Sequence, residues 1–163
     1  MAANQAHLLL CCDWGTSNFR LYLADRESGA LRGFLQNKTG VKSLHQAIEA
    51  NPKLDRITHF REFLHQQVQL LGQQTNLDVT GIPVSISGMA GSSIGCVEVP
   101  YAPLPFSLST PRLASRQFSS TDDWPNPLCI WGGLRAQIDV MRGEEVQMIG
   151  IQSQVNERNF HCL

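Results

Sequence analysis

Apolar and polar positions along the chain change period several times, and each change marks an element. Leu8 to Cys12 is an unbroken apolar run, the pattern of a strand buried on both faces. The polar turn Asp13-Trp14-Gly15-Thr16-Ser17-Asn18 follows. Phe19, Leu21 and Leu23 then alternate with Arg20, Tyr22 and Ala24, which predicts a strand with one dry face. The two runs read as a hairpin. Glu27-Ser28-Gly29 makes another turn, and Leu31–Leu35 is a third strand that completes an antiparallel meander.

The period then lengthens. Ser43-Leu44-His45-Gln46 has the spacing of a capping box, predicting a short helix to about Ala50, which Asn51-Pro52 ends. Between Arg56 and Gln73, Ile57, Phe60, Leu64, Val68 and Leu71 recur at three and four residues. That makes one apolar helical stripe, with Gly72 near its end and a solvated face rich in Gln and His. Pro83–Ser87 and Leu128–Trp131 read as strands. Tyr101–Pro127 is rich in proline and serine without periodicity, a long irregular connection that carries part of a site or a lid. Glu144 to Gln152 reads as a helix with acids at its start, and Asn159–Leu163 as the beginning of a further strand.

Composition narrows the class without naming a function. The 163 residues suffice for one domain with a real core, and 42% apolar and 17% charged residues are ordinary for a globular protein. A net charge of −1 with scattered basic residues favours neither nucleic acid nor an anionic membrane. No apolar run approaches a membrane span or a signal-peptide core, so a cytoplasmic location is expected. Five cysteines, Cys11, Cys12, Cys96, Cys129 and Cys162, lack C-x-x-C spacing and read as buried small hydrophobes. The five histidines lack metal-ligand spacing.

Three stretches carry candidate chemistry. In the first turn, Gly15 permits close backbone approach, Thr16 and Ser17 offer donors, and Asp13 can hold Mg²⁺ directly or through water. The same residues also suit a plain hairpin turn. Gly88-Met89-Ala90-Gly91-Ser92-Ser93-Ile94-Gly95 follows a strand with small residues that can bring N–H groups to an anion, though such loops are common. No dinucleotide fingerprint or Walker loop occurs. Asp139-Val140-Met141-Arg142-Gly143-Glu144-Glu145 gathers three carboxylates and a guanidinium around a glycine. Its bland reading is a charged helix start.

Together these stretches resemble a known family. Asp13–Arg20 is similar to the first phosphate motif of the sugar kinase/actin-like superfamily, and Trp14 and Asn18 narrow it to the 2-dehydro-3-deoxygalactonokinases. Ser87–Ser92 with Gly95, Glu98, Pro100 and Tyr101 resembles the family's glycine-methionine segment, with Cys96 where Trp is usual. Asp139–Glu145 matches the family's segment without substitution, whereas Trp131-Gly132-Gly133 departs from the usual Pro-Gly.

The resemblance implies an α/β fold, the actin-like (ribonuclease H-like) first domain of a sugar kinase, with a mixed sheet flanked by helices over residues 1–163. It implies ATP and Mg²⁺ as cofactors and a small-molecule sugar acid as substrate. Asp13, Gly15, Thr16, Ser17 and Arg20 would serve the phosphates, with Asp13 also serving the metal. Gly88, Met89, Gly91, Ser92, Glu98, Tyr101 and Arg142 would serve the sugar acid. Asp139 would be the base, with Glu144 second. The resemblance covers the first half of a complete kinase. The family's second phosphate motif and adenosine-binding domain lie beyond what this sequence matches, so little turnover is expected of the chain alone. Self-association through an exposed inter-domain surface is expected too. Two readings of other classes stand beside it: a non-catalytic sugar-acid-binding or interaction module, and an actin-like ATPase acting without sugar.

Overall fold

The computed structural model describes residues 5–108 and 110–152. The strand expected over Asn159–Leu163, and Cys162 with it, lie outside the described residues. The chain opens with β1 (Leu8–Trp14), β2 (Phe19–Asp25) and β3 (Leu31–Asn37), the antiparallel meander that the alternation predicts. Two helices follow, α1 (Val41–Ala50) and α2 (Arg56–Thr75). Then come β4 (Val84–Gly88), a single 3₁₀ turn at Met89–Gly91, β5 (Ala102–Pro103), β6 (Ser115–Phe118) and β7 (Leu128–Trp131). The hairpin of β8 (Leu134–Arg135) and β9 (Val140–Met141) leads into α3 (Glu144–Gln152).

Six strands form one mixed sheet in the order β3-β2-β1-β4-β7-β6. β1 runs parallel to β4, and β4 parallel to β7, while the outer pairs are antiparallel. β5, β8 and β9 make a second, three-stranded sheet. The α/β class with a mixed sheet and packed helices is therefore as expected.

The core lies between the sheet and the helices α1 and α2. The α2 stripe buries Phe60, Leu64, Val68 and Leu71 against β2 and β3, while α1 packs on α2. Trp14, Phe19, Phe60 and Phe63 form an aromatic cluster with ring centroids 5.0–5.5 Å apart, in edge-on and tilted contacts. Asp55 caps α2 by accepting the Thr58 N–H at 2.8 Å.

Several local expectations change. The helix α1 does not begin at a Ser43 capping box: Gly40 is its N-cap and no side chain caps it. Instead the carbonyls of Gly15 and Thr16 accept the Val41 and Lys42 N–H groups, and Ser43 donates its hydroxyl to the Gly40 carbonyl. Only a backbone without a Cβ fits there, since a Cβ on Gly40 would lie 2.3 Å from the Thr16 carbonyl oxygen. Gly72 sits inside α2, and Asn76, in the left-handed conformation at φ 53°, ends the helix. Gln67 is not solvated: it is buried and accepts the Asn37 side-chain N–H at 2.9 Å.

β1 is buried on one face and half-buried on the other, because the helices cover only the first. Leu9, with Ser85, Phe118, Cys129 and Trp131, lines an open groove on the second face. The segment Tyr101–Pro127 is not wholly irregular, for β6 closes the sheet edge against β7. Cys11, Cys12, Cys96 and Cys129 are free thiols, buried or half-buried. Burial pushes the Cys96 thiol up to about 12, which makes it a packing group rather than a nucleophile. No helix among the described residues is long and apolar enough to cross a membrane.

Candidate functional site

The first turn is built by the β1–β2 register. Pairing of Trp14 with Phe19 leaves Gly15–Asn18 as the connection, closed by the Gly15 N–H donating to the Asn18 carbonyl at 2.9 Å. Trp14 and Phe19 point into the core on one side. Asp13 and Arg20 pair across the strands on the other, with Arg20 Nη1 donating to Asp13 Oδ2 at 2.7 Å. Thr16 and Ser17 are exposed at the tip. The turn therefore presents two hydroxyls and an oriented carboxylate, and α1 holds it from behind.

The parallel pairing of β1 with β4 places Gly88 beside Trp14. Gly88 has φ +92°, and a Cβ there would lie 2.8 Å from the Trp14 carbonyl oxygen and 3.5 Å from Asp13 Oδ1. Glycine is thus required for the second loop to leave the sheet next to Asp13. The 3₁₀ turn then packs Met89 and Ala90 onto the core. Ser92 is buried, with its hydroxyl donated to the Met89 carbonyl at 2.7 Å, so it shapes the loop.

The third stretch divides. Asp139 lies on the exposed connection between β8 and β9, and its Oδ1 accepts the Val140 N–H at 2.8 Å. From Arg142 onward the chain turns inward. Gly143, at φ +103°, brings its backbone against Gly88, with 3.4 Å between a Cβ built on Gly143 and the Gly88 Cα. Arg142 lies over the Tyr101 ring, its Cζ 4.0 Å from the centroid. Its Nε donates to the Tyr101 hydroxyl and its Nη2 to the Val99 carbonyl, both at 2.9 Å. Its Nη1 is buried without a partner among the described residues, close to where a Gly91 side chain would be. Glu144 is exposed and its Oε2 accepts the Arg142 N–H at 3.1 Å.

Asp13, Gly88, Gly91, Tyr101, Arg142 and Glu144 are thus brought to one locus at the C-terminal ends of the parallel strands β1 and β4. Ligands bind at this end of α/β sheets. Glu98 is exposed on the loop before Tyr101. Asp139 stands apart on its hairpin. One group at the locus was not picked out from the sequence. Glu145 is 1% exposed, and its Oε1 accepts the Gly143 N–H at 2.9 Å. Burial pushes its carboxyl above the ordinary Glu range, partly offset by that N–H. Nothing in the motif separates Glu145 from its exposed neighbour Glu144; only the inward turn at Gly143 does.

A family profile described as 2-keto-3-deoxy-galactonokinase matches residues 13–163. The chain belongs to this family. A curated relative from Rhizobium meliloti strain 1021, named as a probable 2-dehydro-3-deoxygalactonokinase, DgoK1, is 30% identical over 142 residues. The match covers 85% of this chain and 40% of the relative. A crystal structure of a 2-dehydro-3-deoxygalactonokinase-family protein from Sinorhizobium meliloti superposes with a TM-score of 0.67 at 26% identity, over 91% of this chain and 44% of that one. The chain thus spans less than half the length of these relatives. Its mixed α/β fold is shared with part of that kinase-family structure, consistent with an actin-like first domain.

Proposed function

We propose that this chain carries the acceptor half of an ATP-dependent kinase acting on the sugar acid 2-dehydro-3-deoxygalactonate, in the cytoplasm. The observation that supports it is the convergence of three stretches distant in sequence, Asp13–Arg20, Gly88–Ser92 and Arg142–Glu145, on the contact between Gly88 and Gly143. Transfer to an alcohol depends mainly on positioning and electrostatic stabilisation, so separate motifs must meet at one place.

The residues present suit the cofactors. Asp13 would hold Mg²⁺, directly or through water, from an orientation set by Arg20, and Gly15, Thr16 and Ser17 would take the phosphates on exposed hydroxyls and backbone. Bound Mg-ATP supplies the phosphoryl group. Gly88, Met89 and Gly91 would wall the sugar acid, with Ser92 shaping that wall. Arg142, splayed by Tyr101 and the Val99 carbonyl, keeps Nη1 for the substrate carboxylate. Glu98 would reach a hydroxyl from the rim. The carboxylate that accepts the hydroxyl proton comes from the acidic segment, with Asp139 first and Glu144 second by the family resemblance.

The test is calorimetry of the chain with 2-dehydro-3-deoxygalactonate, followed by a turnover assay with Mg-ATP. Binding of the sugar acid with little turnover is the expected result. A chain that hydrolyses ATP without the sugar would overturn the reading in favour of an ATPase. The second reading, a non-catalytic sugar-acid-binding module, is favoured by the placement of all the described acceptor-side groups on this chain. Restored turnover on adding a family second domain would count against it. Self-association is part of the proposal, through exposed Ile138, Val140 and Met141 on the β8–β9 hairpin.

A further inference from the structure

We propose that Glu145 is the residue that holds the acceptor hydroxyl, through its Oε2. This rests on the kinase reading above and deepens it. Three carboxylates lie on Asp139–Glu145, and their surroundings differ in kind. Asp139 is exposed and its Oδ1 is engaged by the neighbouring Val140 N–H. Glu144 is exposed and its Oε2 is engaged by the Arg142 N–H. Glu145 is enclosed, one oxygen is fixed by the Gly143 N–H, and the other is buried with no partner among the described residues.

A buried acceptor without a donor is costly, and folded proteins keep few of them. The Gly143 N–H sets the plane of the carboxylate before any ligand arrives, and Gly143 itself rests on Gly88 beside Asp13. What the free oxygen lacks is one short donor, and an alcohol O–H is that. Arg142, three peptide bonds before Glu145 and on the other side of Gly143, carries in Nη1 a donor of opposite charge with no partner among the described residues. One unpartnered guanidinium nitrogen and one unpartnered carboxylate oxygen, on either side of Gly143, match a molecule that carries both a carboxylate and a hydroxyl, which describes a sugar acid. The plain alternative is that Glu145 merely ties off the start of α3 through its bond to Gly143.

A substitution and a titration separate the two. Glu145→Gln keeps a side-chain oxygen for the Gly143 N–H, so a cap survives while the charge is lost. In calorimetry with 2-dehydro-3-deoxygalactonate at pH 8, this variant is expected to bind about 10-fold to 100-fold more weakly than the wild-type chain, the usual range for a hydrogen bond to a charged group. A rise of affinity with pH is expected of the wild type and its loss is expected of the variant. In the wild-type chain, ¹³C-labelled glutamate spectra follow the Glu145 carboxyl itself, assigned by its loss in the Gln variant. Saturating sugar acid should lower its titration midpoint, and deoxy analogues should lower it except where the held hydroxyl is missing. Equal affinity and pH profile in the variant, with an unmoved midpoint in sugar-bound wild type, overturn the Glu145 assignment and leave the kinase reading standing. No binding by the wild-type chain overturns both.

Discussion

Two of the stretches by which this chain resembles its family, Asp13–Arg20 and Asp139–Glu145, are treated in opposite ways by the structure. The Asp13–Arg20 turn is fixed from every side: by strand pairing, by the aromatic cluster under Trp14, and by α1 bonded to its carbonyls. The Asp139–Glu145 segment is held at its first end only by the short β8–β9 pairing and is enclosed only at its second. Asp139 lies on the exposed β8–β9 connection beside Ile138, which is 99% exposed; Val140 and Met141 lie on the exposed two-residue β9, and the last residue is enclosed. A motif contiguous in sequence is thus not one structural unit. Chemistry at the site should follow the anchored end.

The sharpest way to break this comparison is to remove the anchor of the first region. Trp14→Ala should cost about 3–5 kcal/mol of stability in denaturant unfolding, as for other buried aromatics, while Ile138→Ala should leave the midpoint unchanged. Equal tolerance of both would show that the turn is not held as described. Next in size is Gly88→Ala, which places a Cβ against the Trp14 carbonyl at a left-handed φ. A loss of about 1–3 kcal/mol is expected in thermal unfolding, with weakened sugar-acid binding, because both regions meet there.

A pH series probes the enclosed end. The Glu145 carboxyl is raised in the folded chain by burial, so ionising it disfavours folding once pH climbs above the unfolded value near 4.5. Glu145→Gln should therefore be more stable than wild type at neutral pH. The gap should close as pH falls below about 4.5, where both forms are uncharged. A constant gap across pH would mean that the carboxylate is solvated after all. Smallest is Arg20→Gln. The Asp13–Arg20 pair is partly exposed, at 29% and 43% for the two side chains, so the change should cost less than about 1 kcal/mol. It should still alter Mg²⁺ affinity, measured by calorimetry, since Asp13 loses its orienting partner.

The contrast also explains what could be read in advance. The meander, α2 and the start of α3 follow from period and local acids, which short stretches of sequence carry whole. Ser43 misled because its spacing suits a cap, whereas the N–H groups of α1 find their acceptors in a turn some 25 residues earlier, a partnership no local pattern records. Gln67 looked solvated among other glutamines, and its burial depends on Asn37 at the end of β3. At the site, Gly88 marks a place of close backbone approach, against the Trp14 carbonyl. Glu144 and Glu145 are indistinguishable as letters. Their separation into wet and dry depends on Gly143 meeting Gly88 across 55 residues.

The start of α1 on the carbonyls of Gly15 and Thr16 has a thermodynamic consequence. A phosphate-binding turn is often left to be ordered by its ligand, and affinity then suffers the lost freedom of the loop. Here the helix sets the turn's shape as part of folding, so an anion bound there as proposed would meet a turn ordered in advance. Association should then resemble the docking of rigid bodies. The heat-capacity change should be small, and the rate should be governed by encounter rather than by rearrangement.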